Sequence, residues 1–218
     1  MTGVQTCALP IYSKQIYNLI TEKKSFLSTE VFNSITECFA KSNEIEMALS
    51  VTNEMKKYEI PRDTTTYSIL LNIHSNAINE EKCILIYEET MRMNVKPSLD
   101  IFSALLNLFI KKKKILQAIG IYTDIKMNKI ECTEGVYSQI INACLSHLKI
   151  ESALEIVYDA YTSKVKLQLE VYKNILDCLV NLRIRQIEKM NYTKMIVNIL
   201  REEGGLDQEV LEKLNKIN

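Results

Sequence analysis

The apolar side chains of residues 96–109, KPSLDIFSALLNLF, recur with the period of an α-helix. Pro97 cannot continue a preceding helix, so a new helix is expected to begin just after it. Beyond it, apolar residues fall at the i, i+3, i+4 and i+7 positions of one helical face: Phe102, Leu105, Leu106 and Phe109. The pattern predicts an amphipathic helix from about Asp100 to Lys111, in which the small polar residue Ser103 directly follows the first aromatic.

This aromatic helix recurs along the chain at a fixed interval. Five aromatic residues follow one another with a spacing of 35 residues: Phe32, Tyr67, Phe102, Tyr137 and Tyr172. Small side chains stand 16 residues after the first four of them: Ala48, Cys83, Ala118 and Ala153. A period of roughly 20–50 residues is typical of a solenoid or another repeat array. The chain is therefore predicted to be built from internal repeats.

Each 35-residue unit is predicted to fold as two helices. In the third unit the lysine cluster 111–114 marks the turn, and the second helix begins near Ile115. Pro61 and Pro97 both fall at junctions between units, where a helix has to end. One helix pair cannot bury its apolar face alone, so neighbouring pairs must stack. We expect an all-α fold, a right-handed α-solenoid of antiparallel helix pairs with a 35-residue period.

The predicted units divide the chain into a regular centre and two irregular ends. Regular units cover residues 29–63, 64–98, 99–133 and 134–168. Residues 12–28 fit the second helix of a partial unit. Residues 169–205 fit a degenerate fifth unit, whose alignment needs about five inserted residues near 183–189. Residues 206–218 are expected to form a C-terminal helix, running from Asp207 to Lys216.

Residues 1–11, MTGVQTCALPI, stand outside the repeat pattern. From Thr2 to Ile11 they resemble the translation of a widely used sequencing-library adapter, so we expect the gene's own sequence to begin near Tyr12. The alternative interpretation is a short targeting peptide. That interpretation is disfavoured because the stretch has no basic residue and no long apolar core.

The charge and the cysteines exclude several classes of protein. Lysine and arginine total 27, as do aspartate and glutamate, and the resulting net charge of zero disfavours a strong affinity driven by nucleic-acid phosphates. The longest apolar stretch, residues 101–110, is too short to span a bilayer. The cysteines beyond residue 11 stand singly, so we expect neither a disulfide framework nor a zinc site: Cys38, Cys83, Cys132, Cys144 and Cys178.

Candidate catalytic chemistry is sparse. His74 and His147 occupy unrelated positions of the repeat, and the aspartates are scattered rather than grouped as in a metal-dependent nuclease. With five glycines in all, the chain has no glycine-rich phosphate loop. We therefore expect no enzyme, no catalytic or metal-binding residues, no cofactor, no membrane partner and no small-molecule substrate.

The first regular unit carries the pattern of a known repeat family. Its sequence, VFNSI…AKSNEIEMALSVTNEMKKYEIPRD, has matching residues early in the first helix, in the second helix and at its end: Phe32, Asn33, Ala48, Met55 and Asp63. It resembles the pentatricopeptide repeat (PPR), well over residues 29–168 and loosely over 12–205. The tetratricopeptide repeat is the competing family. Its 34-residue unit opens with a tryptophan, however, and this chain contains none.

The resemblance implies that the chain binds single-stranded RNA, with one base read per repeat. In the PPR family the main readers are the residue after the first-helix aromatic and the last residue of the repeat. The corresponding pairs here are Asn33 with Asp63, Ser68 with Ser98, Ser103 with Thr133, and Ser138 with Gln168. The first is a standard pair that favours uracil, and serine leans towards purines. The resemblance also implies an organellar factor for RNA processing, stability or translation, in the mitochondrion or plastid.

Other features of the sequence leave alternatives open. Lys41 and Lys111, nine residues after their aromatics, are expected to contact the RNA backbone, whereas Glu30 and Asp100 would repel it. A serine near a helix start is also a favoured capping residue, which gives Ser103 a purely structural explanation. The alternative function is a protein-interaction scaffold whose concave solenoid surface binds a partner polypeptide.

Overall fold

The structure is a computed structural model that describes residues 14–15, 17–19, 22, 27–181 and 185–217. Within these ranges every regular element is helical, and eleven helices have defined bounds. They are α1 (Thr29–Lys41), α2 (Ile45–Lys57), α3 (Thr64–Asn76), α4 (Glu80–Arg92), α5 (Leu99–Lys111), α6 (Ile115–Met127), α7 (Glu134–Ser146), α8 (Ile150–Thr162), α9 (Leu169–Asn181), α10 (Gln186–Glu203) and α11 (Gln208–Ile217). None of the described helices has both the length and the apolar character needed to cross a membrane.

The N-terminal part of the chain is described at a few positions. The predicted adapter segment, residues 1–11, lies outside the described residues. Within the predicted partial unit, residues 14–15, 17–19 and 22 are helical, and the other residues of 12–26 lie outside the described residues as well.

The helices follow the register of the aromatic residues. The first helices of the pairs, α1, α3, α5, α7 and α9, begin at intervals of 35 residues. Each of the first four is followed, after three connecting residues, by a second helix of 13 residues. A connection this short makes the two helices antiparallel in the pairs α1–α2, α3–α4 and α7–α8. The helix predicted from about Asp100 to Lys111 is observed as α5 and begins one residue earlier, at Leu99.

A left-handed backbone residue reverses the chain at the end of each helix in the four regular pairs. Within the pairs these residues have φ between 55° and 63°: Asn43, Ile78, Lys113 and Leu148. Between the pairs φ lies between 53° and 58°: Glu59, Asn94, Lys129 and Lys164. In the first turn, the N–H of Glu44 donates to the carbonyl of Phe39 at 2.9 Å. This bond satisfies a carbonyl that the helix end would leave unpaired.

The chain divides into two compact units, Met1–Lys112 and Lys113–Asn218, and the boundary falls between α5 and α6. In the first unit, α1 packs on α2 and α3, and α3 packs on α4 and α5. In the second unit, α7 packs on α6, α8 and α9, and α9 packs on α10 and α11. Within each unit, the first helix of one pair therefore contacts both its own partner and the first helix of the next pair.

The columns of aromatic and small residues form the core. The five aromatics at 35-residue spacing are at most 1% exposed: Phe32, Tyr67, Phe102, Tyr137 and Tyr172. The four small residues are completely buried: Ala48, Cys83, Ala118 and Ala153. A small side chain allows two helices to approach closely, because the distance between helix axes depends on the side chains at their contact.

The C-terminal end differs from the prediction in one respect. About five inserted residues were expected near 183–189, and the second helix of the fifth pair, α10, begins at Gln186 and has 18 residues where the other second helices have 13. The extra residues lengthen the helix rather than forming a separate loop. Helix α10 ends at Glu203 and is capped by Gly204, whose φ of 72° suits a residue without a side chain. The predicted C-terminal helix is observed one residue later, as α11.

Candidate functional site

The first column of predicted base-reading residues lies on the first helices of the pairs. Each is the fifth residue of its helix, directly after the buried aromatic: Asn33, Ser68, Ser103 and Ser138. Lys173 has the same place in α9 but was not among the predicted residues. The aromatic anchors each position in the core, so the next side chain is held at the edge of the buried region. Asn33 is 6% exposed and Ser68 is 7% exposed, whereas Ser103 and Ser138 are half-buried.

The second column is the set of residues that precede the first helices. Asp63 and Ser98 are the N-caps of α3 and α5, and Ser98 accepts a hydrogen bond from the N–H of Ile101 at 3.5 Å. The explanation of Ser103 as a helix cap is therefore wrong, because Ser98 occupies that position. Thr133 is the N-cap residue of α7, but its side chain makes no capping bond.

The structure brings the first predicted pair together in a hydrogen-bonded network. The Asn33 amide Nδ2 donates to Asp63 Oδ1 at 2.9 Å. Thr66, on the first turn of α3, donates from its hydroxyl to Asn33 Oδ1 at 2.7 Å and lies 2.9 Å from Asp63 Oδ1. Asp63 and Thr66 also form a capping box, in which each side chain bonds to the backbone N–H of the other residue. Both polar atoms of the Asn33 side chain, Nδ2 and Oδ1, are therefore hydrogen-bonded.

This network keeps Asp63 ionised. Desolvation by partial burial raises the pKa of the Asp63 carboxyl, but hydrogen bonds from the Thr66 N–H and the Asn33 amide outweigh it. The pKa lies below the ordinary value because these donors bind the charged form. A negative charge at this position also interacts favourably with the N-terminus of α3.

The structure also brings the second predicted pair together. Ser68 Oγ and Ser98 Oγ lie 3.3 Å apart, within hydrogen-bonding distance. Ser68 Oγ in addition donates to the carbonyl of Thr64 at 2.8 Å. A hydroxyl has one proton, so with the Ser68 proton donated to Thr64, Ser98 is the donor and Ser68 the acceptor within the pair.

The fourth predicted pair is not joined by a hydrogen bond. Ser138 donates to the carboxylate of Glu134, one helical turn earlier, at 2.5 Å. Gln168 is exposed, and its side chain makes no hydrogen bond in the part of the chain that the structure describes. Ser103 and Thr133, the third pair, belong to different compact units; Ser103 is half-buried in α5 and Thr133 is exposed at the start of α7.

A fifth pair was missed by the sequence analysis. Lys173 forms a salt bridge with Asp207, the residue directly before α11, at 2.9 Å, and a second one with Glu209. Asp207 falls four residues later than the 35-residue register, because α10 is longer than the other second helices. The signal was present in the sequence, since Asp207 begins the predicted C-terminal helix and thus corresponds to Asp63.

The fifth position is surrounded by acids. Lys213 of α11 binds Asp177 at 2.5 Å and Glu209 at 3.3 Å, which extends the ion pairs of Lys173 into a network between α9 and α11. Hydrogen bonds to Glu209 and Asp207 raise the pKa of Lys173 well above its ordinary value. A lysine held by two carboxylates is a poor partner for a phosphate group.

The two lysines predicted to contact the RNA backbone are the last residues of α1 and α5. Lys41 is exposed and pairs with Glu37, one turn earlier, at 2.7 Å. Lys111 is exposed and donates to the side chain of Asn76 at 3.2 Å. Both cations lie at helix C-termini, where positive charge is favourable without any ligand.

The acids that depart from the PPR pattern lie in the first turns of helices. Glu30 and Asp100 are exposed residues of α1 and α5. A hydrogen bond from its own backbone N–H and one with Ser28 lower the pKa of Glu30. Carboxylates at these positions stabilise the helix N-terminus, which explains them without reference to a ligand.

The remaining residue types that could form a site are cysteines and metal ligands. The five cysteines from Cys38 onwards are all free thiols. Across residues 27–181 and 185–217, no group of three or more His, Cys, Asp or Glu side chains lies close enough together to hold a metal ion.

Known proteins resemble this chain in sequence over one segment and in fold over most of its length. Residues 27–76, which contain Asn33, Asp63 and Thr66, match the PPR repeat family. No curated protein resembles the sequence closely enough to match it. Among solved structures, the PPR protein PPR10 from maize superposes on 97% of the chain with a TM-score of 0.68 and 13% identity. The chain has the pentatricopeptide repeat fold.

Further PPR structures show the same similarity. PPR10 in complex with an 18-nt psaJ RNA element matches 87% of the chain, with a TM-score of 0.60 and 15% identity. The PPR domain of Arabidopsis thaliana protein-only RNase P 1, solved in complex with tRNA, also matches 87% of the chain, with a TM-score of 0.67 and 14% identity. The chain spans about 30% of the length of maize PPR10 and 97% of the length of the RNase P domain. The predicted α-solenoid is confirmed by these similarities of fold.

Proposed function

We propose that this chain binds single-stranded RNA along the first helices of its pairs, and that the paired residues at the junctions read the bases. The observation that carries the proposal is the contact between Asn33 and Asp63. These residues are far apart in sequence, yet they meet at 2.9 Å in the two positions that the PPR resemblance assigns to base reading. A fixed amide beside a carboxylate offers hydrogen bonds to the edge of an unpaired base.

The solved PPR structures support RNA as the class of ligand. PPR10 was crystallised with an RNA element and the RNase P domain with tRNA. For the whole protein we propose a role in organellar RNA processing, stability or translation, in the mitochondrion or plastid. The proposed role of this chain is binding, not catalysis. The RNase P activity in the names of two similar proteins belongs to those proteins.

The electrostatics of the chain favour a weak, salt-tolerant interaction. The net charge is zero, and Lys41 is already paired with Glu37. We expect the logarithm of affinity to fall with the logarithm of salt by only about 0.7 for each neutralised phosphate. With few phosphate contacts, the dissociation constant should be about micromolar.

The expected base preference is U followed by three purines, from the N-terminal to the C-terminal repeat. Selection from a randomised RNA pool tests this preference. The double variant S68N/S98D recreates the first pair at the second junction, where the two side chains already lie 3.3 Å apart. The second preferred base should change from a purine to a pyrimidine, by about 1–3 kcal/mol, while the first base stays U. Ser50→Asn, which adds an amide at an exposed position of α2, is the matched control and should leave the motif unchanged.

Two results would contradict the proposal. The parent protein could enrich no motif, or the double variant could keep the parent's preference. A salt-independent interaction with a polypeptide, in the absence of RNA binding, would favour the interaction scaffold instead.

A further inference from the structure

We infer that Thr66 is a specificity-determining residue for the first base, because it fixes the amide of Asn33 as a hydrogen-bond donor. The inference rests on the proposed function. Thr66 belongs to neither column of paired residues: it is the third residue of α3 and is completely buried. It acts through Asn33 and is therefore a positioning residue.

The hydroxyl of Thr66 has one proton and two acceptors within reach. Asn33 Oδ1 is the nearer, at 2.7 Å, and Asp63 Oδ1 lies at 2.9 Å. Asp63 Oδ1 already accepts from the Thr66 N–H at 2.8 Å and from Asn33 Nδ2 at 2.9 Å. The carbonyl oxygen of Asn33 has no other donor among the residues that the structure describes. The geometry therefore assigns the proton to Asn33.

These contacts allow one orientation of the amide. A carboxylate can only accept hydrogen bonds, so the Nδ2 group must face Asp63 and the carbonyl oxygen must face Thr66. The hydrogen bond of that oxygen to Thr66 is buried, whereas the bond of Nδ2 to Asp63 is only partly buried, so the second hydrogen of Nδ2 is the group left for a base. That hydrogen has no partner within the described ranges. Uracil offers an acceptor, O4, where cytosine offers an amino donor, N4. An amide restricted to donating thus favours uracil over cytosine.

The equivalent positions of the other first helices are apolar. The third residues of α1, α5, α7 and α9 are Val31, Ile101, Val136 and Val171. A buried hydroxyl among apolar residues is unfavourable unless it is hydrogen-bonded. In this column the hydroxyl occurs only at Thr66, which is the position that contacts the single asparagine of the base-reading column. Thr66→Val therefore introduces a side chain that the array itself uses and removes only the hydroxyl.

The test compares parent, T66V, T66S and T90V. Binding is measured to two RNAs that differ by U or C at the first base. Thr90 is a completely buried threonine of α4 whose hydroxyl donates within its own helix, so T90V is the matched control. In T66V the oxygen of Asn33 loses the buried donor that holds it in this orientation, so the amide can turn and accept from the cytosine amino group. The preference for U over C should fall by about 5-fold or more, whereas T66S and T90V keep it.

Loss of the capping box in T66V weakens binding to both RNAs alike. The ratio of the affinities for the U and C RNAs therefore reports the orientation of Asn33 and not a general loss of stability. A ratio in T66V equal to that of the parent overturns the inference and leaves the proposed function standing. A parent without RNA binding overturns both. The hydrogen bond between Thr66 and Asn33 can also be tested without RNA. Hydrogen exchange of the Asn33 side-chain amide should be faster in T66V than in T90V. Equal rates would also overturn the inference.

Discussion

Asp63 and Gln168 stand at equivalent junctions between helix pairs, directly before α3 and α9, but their side chains make different contacts. Each precedes the first helix of a pair, and each lies within one compact unit. At the first, Asp63 caps α3 and binds the amide of Asn33. At the other, Gln168 is exposed, and its counterpart Ser138 is bound to Glu134 instead.

The helices at both junctions nevertheless begin in register and bury the same columns. Tyr67 and Tyr172, the aromatics that follow the two junctions, are both 1% exposed. The apolar columns therefore determine the fold, and the polar pair at a junction is free to vary. This freedom is what a base-reading surface requires, because a change of specificity then leaves the scaffold intact.

The largest expected effect is a loss of stability on overpacking the buried small residues, which the regions around both junctions share. Ala48 of α2 and Ala153 of α8 are completely buried, so A48L and A153L should each overpack a helix contact and cost about 1–3 kcal/mol. Urea unfolding followed by circular dichroism measures both. Leucine at the exposed positions Ser50 and Glu155 of the same helices is the control and should have little effect. A buried leucine that is tolerated in one region alone would show that the two scaffolds differ.

A smaller effect tests what distinguishes the two regions. Asp63→Ala removes an N-cap and its capping box, and leaves Asn33 without its carboxylate partner. We expect a loss of about 1–2 kcal/mol in the free energy of unfolding. Gln168→Ala removes no hydrogen bond known in the described structure and should change stability by less than about 0.5 kcal/mol. Equal losses for the two variants, measured by urea unfolding, would contradict the difference between the junctions.

The smallest effect is a dependence on pH that only the first junction should show. Because the folded-state pKa of Asp63 is lowered, its contribution to stability is present above the unfolded value of about 3.9 and is lost as pH falls through the folded pKa. Carboxyl titration by NMR should show Asp63 titrating below this ordinary value. Asn33→Ala should raise that pKa, since it removes one donor to the carboxylate. An unchanged midpoint in this variant would mean that Asn33 does not bind Asp63 in solution.

The sequence allowed the scaffold to be predicted because its signals are periodic. A 35-residue spacing of aromatics and small residues indicates which faces are buried, and Tyr67 and Ala118 are buried accordingly. The polar contacts could not be predicted in the same way, because they depend on single side chains. Glu134, one turn before Ser138, accepts the hydrogen bond of the Ser138 hydroxyl. An acid at this position has no counterpart in the repeat pattern.

The fifth pair and Thr66 show two further limits of prediction from spacing. The lengthened α10 moves Asp207 out of register, so counting from Lys173 leads to the wrong partner. Thr66 was visible as the single hydroxyl in an apolar column, but its partner Asn33 lies in the preceding repeat. A position-by-position comparison of hydroxyls within apolar columns would have found it.

The left-handed residues at the helix ends make the chain less stable than glycine would at the same positions. Ile78 and Leu148 adopt φ values of 55° and 56°, a conformation that disfavours bulky side chains and costs about 1–2 kcal/mol for an L-residue. Glycine adopts it freely. Glycine at these turns should therefore make the array more stable. The turns follow the last residues of α3 and α7, whereas the residues proposed to read a base lie near or just before the starts of the first helices.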